Sequence, residues 1–75
     1  MSSELKKSWM IASDVGTRDG IGVELLLDDE IVLEIFRDDT KKTREVIFYK
    51  KEVPLVLLEE AIQVFKKEIP WEFLE

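Results

Sequence analysis

The sequence predicts an α+β domain: a three-stranded antiparallel meander with a C-terminal amphipathic helix packed on one face and a further helix at the N-terminus, in the order α-β-β-β-α. Three observations carry this. Apolar residues alternate with a period of two from Ile21 to Tyr49, the period changes to that of a helix after Val53, and the apolar stripe of that helix matches the aliphatic face of the strands. With 75 residues and no cysteine, the chain is read as one small domain, residues 1–75. A single apolar core must then stabilise it without disulfide or zinc.

Ser3 to Val15 reads as the first helix. Ser3 stands at the N-cap, Leu5, Trp9, Ala12 and Val15 recur on one helical face, and Gly16 suits a left-handed C′ position. A strand over Trp9 to Ser13 is the competing reading, because Trp9 and Ile11 alternate with smaller or more flexible residues. Gly16 to Gly20 is turn chemistry on either reading.

Two strands follow, with Val23, Leu25 and Leu27 alternating before Asp28-Asp29-Glu30, and Ile31, Leu33 and Ile35 alternating after it. A three-residue loop at Asp28-Asp29-Glu30 pairs Leu27 with Ile31, Leu25 with Leu33 and Val23 with Ile35, which places six aliphatic side chains on one face. This register also sets Glu24 opposite Glu34, a like-charge pair that costs stability unless a base from the next strand intervenes. The third strand, Arg44 to Tyr49, continues the aliphatic face with Val46 and Phe48.

Pro54 fits the first position of the last helix, where its missing N–H costs nothing. Leu55, Leu58, Ile62, Phe65 and Ile69, widened by Ala61, form its apolar stripe. Glu59 and Glu60 lie toward the start and Lys66 and Lys67 toward the end, as the helix dipole favours, and Pro70 ends the run. Trp71 to Glu75 is too aromatic for a free tail and is expected to fold back on the core.

Composition narrows the chemistry. There is no His, Cys or Asn, one Gln (Gln63), and every Ser lies in the first 13 residues, so most catalytic and soft-metal sites have no side chains to use. No catalytic residue, metal site or cofactor is expected, and the chain is read as not an enzyme. The acidic turn Asp28-Asp29-Glu30 has neither the length nor the central Gly of an EF-hand loop. Gly16, Gly20 and Gly22 lack the strand, helix and Lys of a phosphate-binding loop. No apolar run approaches the roughly 20 residues that cross a bilayer, and no apolar segment of signal-peptide length follows Met1 to Lys7. The expectation is a cytoplasmic protein with no membrane partner.

A net charge of −6 disfavours nucleic acid as a partner. The segment from Arg37 to Lys51 nevertheless carries a local charge of +3. Arg37, Lys41, Lys42 and Arg44 flank a turn there, with Phe36 and Tyr49 expected on the sheet surface, so single-stranded nucleic acid is the alternative partner. In outline the fold resembles single-strand-binding transcriptional coactivators and Whirly proteins, which use a curved antiparallel sheet backed by a helix. The preferred reading is a small acidic protein-interaction domain, binding another protein or a second copy of itself. Its surface is the sheet face opposite the C-terminal helix, where Val32, Phe36, Ile47 and Tyr49 would form an apolar patch unless the N-terminal segment covers it with Leu5 and Trp9.

The runs Gly20 to Leu25, Glu34 to Thr40 and Val53-Pro54-Leu55 resemble small bacterial proteins of similar length. The resemblance covers roughly residues 20 to 65 and implies no activity. It singles out Glu34, Arg37 and Asp38 as residues to test.

Overall fold

A computed structural model describes residues 6–15 and 19–74. Its elements are β1 (Lys7–Val15), β2 (Asp19–Leu27), β3 (Glu30–Asp38), β4 (Thr43–Phe48) and α1 (Leu55–Glu68). The strands form one antiparallel sheet in the order β1-β2-β3-β4, with α1 on one face. The α+β class, the meander and the C-terminal helix are as the sequence predicts. The N-terminal helix is not: a fourth strand stands there. Trp9, Ile11 and Ser13 lie opposite Leu25, Val23 and Ile21, so the apolar residues of β1 follow the face already set by β2. As a strand, β1 also pairs the outer edge of β2, which a helix could not do. The expected N-cap Ser3, together with Leu5 and Gly16, lies outside the described residues.

The β2–β3 hairpin keeps the expected pairs Leu25–Leu33 and Val23–Ile35 but reaches them differently. Leu27 pairs with Glu30, and the loop is the two residues Asp28 and Asp29, with φ of 50° and 71°. Positive φ at both central residues marks a type I′ turn, whose twist suits antiparallel strands. Leu26 then pairs with Ile31, so Val32 is an extra residue, a bulge that restores the register at Leu33. The bulge turns Val32 into the core, not onto the opposite face. Glu24 does stand opposite Glu34, and the β4 neighbour of Glu34 is Ile47 rather than a base. Glu34 is fully buried, and no buried polar side-chain atom among the described residues lacks a hydrogen-bond partner.

The core lies between α1 and the central strands. Val23, Leu25, Val32, Leu33 and Ile35 meet Ala61, Phe65 and Ile69, with Trp9, Leu57, Leu58 and Val64 packed around them. At about 25 cal/mol per Å² of apolar surface removed from water, this contact is the main source of stability. Helix α1 starts one residue later than expected, with Pro54 as its N-cap. Glu59 and Glu60 fall beyond the first turn, which holds no acidic residue, whereas Lys66 and Lys67 do occupy the last turn. Ile69 leaves the helix in an extended conformation, φ −114° and ψ 125°, as a residue before proline prefers. The buried stripe is rotated from the expected one. Leu57 and Val64 join the expected Leu58, Ala61, Phe65 and Ile69, while Leu55 and Ile62 are exposed.

On the opposite face, Phe36 is only 1% exposed although α1, the one helix among the described residues, lies on the other side of the sheet. Its ring lies against β2 at Gly22, where an added Cβ would come within 2.5 Å of the Ile35 carbonyl oxygen and 3.0 Å of the ring. Glycine is needed there because the neighbouring main chain passes so close.

Candidate interaction surface

Neighbouring strands lie about 4.8 Å apart, and a helix with its side chains is about 10 Å wide. One helix therefore covers about two strands. The α1 backbone lies over β2 and β3 and, among the described residues, does not reach over the outer strand β4. Val46 and Phe48 sit opposite Ile35 and Leu33 and share their face, as the sequence predicts, yet they remain 42% and 49% exposed. Ile62, 37% exposed, and the partly buried Leu58 face Val46 from the flank of α1, one helical turn apart. A groove of about 370 Å³ runs between the two elements, floored by Ile35 and Phe65 and closed at one end by Arg44, Lys66 and Trp71. Its wall is more apolar than those of two further hollows, one beside Asp28, Glu30 and Lys50, the other beside Trp9 and Val64.

The eight residues the sequence singles out do not meet at one site. Val32 and Phe36 are buried, in the core and against Gly22 respectively, and offer no surface. Ile47 is half-buried and Tyr49 half-exposed; both belong to the face away from α1, since their alternate neighbours Val46 and Phe48 face it. That face also carries Met10, exposed on β1.

The four basic residues serve the hairpin and the C-terminal segment. Arg37 is buried, and its guanidinium donates to both carboxylate oxygens of Asp39, at 2.9 and 3.1 Å, and to the carbonyl of Pro70 at 2.8 Å. Arg44 lies between two aromatic rings, 3.8 Å from the centre of Trp71 and 4.3 Å from that of Phe73, and donates to the Trp71 carbonyl at 2.7 Å. The Lys42 ammonium donates to the Leu74 carbonyl at 2.7 Å, and the Leu74 amide donates to Asp39 at 3.1 Å. Trp71 also meets Phe65 edge to face. The aromatic segment after Pro70 thus folds back, held mainly by main-chain carbonyls that would otherwise lie unpaired beside the sheet. Lys41 pairs with Glu45 at 3.0 Å on the surface.

Electrostatics follow this geometry. Burial pushes the Asp39 carboxyl up, but the Arg37 hydrogen bond, the Leu74 amide and the charges of Arg37 and Lys42 outweigh it and hold the group below its ordinary range. The hydrogen bond from Lys41 to Glu45, and then the charge of that carboxylate, raise the Lys41 ammonium. Lys50 lowers Glu30 in the same way, across a 2.8 Å contact that ties the β2–β3 turn to the end of β4. Asp38, buried, accepts the amides of Thr40 and Lys41, both at 3.0 Å, and so shapes the β3–β4 turn together with Lys42 at φ 59°. Two of the residues singled out by resemblance, Arg37 and Asp38, therefore have structural roles.

A single-strand site would need its cations and stacking rings together. Here Phe36 is buried, Arg44 is stacked between the chain's own rings, and Tyr49 lies on the other face. Among the described residues no group of three or more His, Cys, Asp or Glu is placed to hold a metal ion, and no helix is long and apolar enough to cross a membrane. The surface the sequence does not reveal is the β4–α1 groove. Val46 and Phe48 read there as core, and the exposure of Leu55 and Ile62 depends on the rotation of α1. Comparison with protein families, curated proteins and solved structures finds no match to this chain.

Proposed function

We propose that the protein is a non-enzymatic interaction domain that binds another polypeptide along β4 and the adjoining flank of α1. The observation that carries this reading is the groove between the exposed Val46 of edge strand β4 and the exposed Ile62 of α1, with Trp71 in its lining and the exposed Phe48 two residues further along β4 on the same face. A contiguous apolar groove of this kind is where proteins bind one another. Catalysis has little to draw on, since Asp39, Glu45 and Glu30 are engaged in ion pairs and Asp38 in turn hydrogen bonds.

A photo-crosslinking residue placed at Phe48 or Ile62 tests this in the source cell. The expected result is a discrete polypeptide adduct at both positions and none at Met10, on the far face. Adducts at Met10 alone, or none anywhere, would contradict the assignment.

A further inference from the structure

The occupant of this groove can be narrowed from the backbone of β4, on the assumption that the groove is the binding surface proposed above. The Tyr49 amide donates to the Val32 carbonyl at 2.8 Å, and the β3–β4 register is regular from Leu33–Phe48 to Asp38–Thr43. In an antiparallel pair, alternate residues bond inward. Thr43, Glu45, Ile47 and Tyr49 therefore bond to β3, and the amides and carbonyls of Arg44, Val46 and Phe48 point out from the sheet edge. These three residues also project their side chains to the α1 side. A strand laid along β4 would meet both demands, pairing these outward groups, which no other strand among the described residues pairs, and placing every second side chain over the groove. A helix would meet only the second.

Charge then separates a partner from a second copy. The apolar centre of β4, Val46 to Phe48, lies between Lys42 and Arg44 at one end and, at the other, Lys51 and Lys50, the latter also paired with Glu30, with Lys66 beside the groove. Antiparallel self-pairing has three alignments in which outward residues face one another near the centre. Val46 against Val46 pairs Arg44 with Phe48 and brings the strand ends flanked by Lys42 and Lys50 together. Val46 against Phe48 brings Arg44 to the strand end that Lys50 follows. Val46 against Arg44 places the two Arg44 side chains diagonally. Each alignment brings cations together, and opposed like charges destabilise a strand pair. Carboxylates at both ends of an incoming strand would instead complement the site.

We infer that β4 accepts, as a fifth strand, an extended segment of a different protein, with apolar residues at alternate positions and acidic residues at each end. From Arg44 to Tyr49, whose amide still bonds to β3, the edge spans about 17 Å at about 3.3 Å per residue, which is about six residues of partner.

Selection from a display library of random heptapeptides on the full chain, followed by fluorescence anisotropy of the consensus peptide, tests this. The expected consensus has apolar residues at alternate positions between Asp or Glu. Replacing its acidic ends by Lys, or N-methylating an alternate amide, is expected to weaken binding at least about tenfold. The N-methylated peptide tests edge pairing without altering the protein, and Phe48→Thr, at a half-exposed strand position, tests the groove with its fold checked by circular dichroism. A consensus spaced every three or four residues, or one with basic ends, overturns the strand inference and leaves the groove as the binding surface. Self-association in light scattering that Val46→Lys abolishes would likewise overturn it, in favour of a second copy. No enrichment and no self-association would remove both the inference and the proposed function.

Discussion

Removing the Arg44 guanidinium tests whether the C-terminal segment is fastened as described. Arg44 stacks 3.8 Å from the Trp71 ring centre and 4.3 Å from that of Phe73. At a partly exposed site each such cation–π contact is worth about 0.5–1 kcal/mol. The hydrogen bond to the Trp71 carbonyl adds about 1 kcal/mol. Arg44→Ala is therefore expected to cost about 2–3 kcal/mol, which lowers the melting temperature of a domain of this size by roughly 10 °C or more. The carbonyl belongs to the main chain and survives Trp71→Ala, so a double-mutant cycle with that variant isolates the stacking. Urea titrations of wild type, both single variants and the double variant should give a coupling energy of about 0.5–1 kcal/mol. Arg44→Lys, which keeps the charge and loses the planar face, should recover less than half of the loss. Strict additivity of the two single variants, or full rescue by lysine, would refute the stacked arrangement.

Other consequences follow from the core, the turn and the ion pair. Leu33 is fully buried, so Leu33→Ala should destabilise by about 3–5 kcal/mol, out of roughly 4–11 kcal/mol expected for the whole domain, whereas Val46→Ala should cost under about 1 kcal/mol; similar losses at the two positions in urea titrations would contradict the placement of α1. Asp29 sits at φ 71° in the type I′ turn, so Asp29→Gly should raise stability by about 0.5–1 kcal/mol, read as a later urea midpoint with unchanged slope. Asp28 should not gain in the same way, because its carboxylate accepts the Lys6 amide at 2.8 Å. Asp39 is held below its ordinary range by Arg37, Leu74 and Lys42 against the opposing effect of burial. A carboxyl lowered by folding stabilises above its unfolded pKa, near pH 4, and loses that contribution as pH falls through its folded value. Asp39→Asn should therefore be less stable than wild type at neutral pH, with the gap closing below about pH 4; a gap that stays constant through acid would contradict the ion pair.

Much of the fold is legible in the residues, and the exceptions have identifiable causes. The alternation in β2 and β3 is strong enough to set Leu25 against Leu33, yet a three-residue loop and a two-residue turn followed by a bulge consume the same length of chain. Only the φ values of Asp28 and Asp29 distinguish them. That difference decides where Val32 points. For β1, apolar residues fit a helix at Leu5, Trp9, Ala12 and Val15 and a strand at Trp9 and Ile11, and the free edge of β2, a non-local factor, decides. The run Leu55-Val56-Leu57-Leu58 is apolar all round, so its own pattern cannot fix the rotation of α1 that leaves Ile62 facing the groove. The basic cluster is plain in the sequence. Its occupation by Pro70, Trp71, Phe73 and Leu74 is set by a fold-back across more than 25 positions, beyond the reach of any local pattern.

Amide hydrogen exchange along β4 tests most directly whether this strand is an open docking edge. In the isolated protein Glu45 and Ile47, which bond to β3, should exchange slowly, and Arg44, Val46 and Phe48 fast. The latter three should become protected when a bound segment is added. Protection of Val46 and Phe48 in the isolated monomer, or no change in them on binding, would contradict an open docking edge.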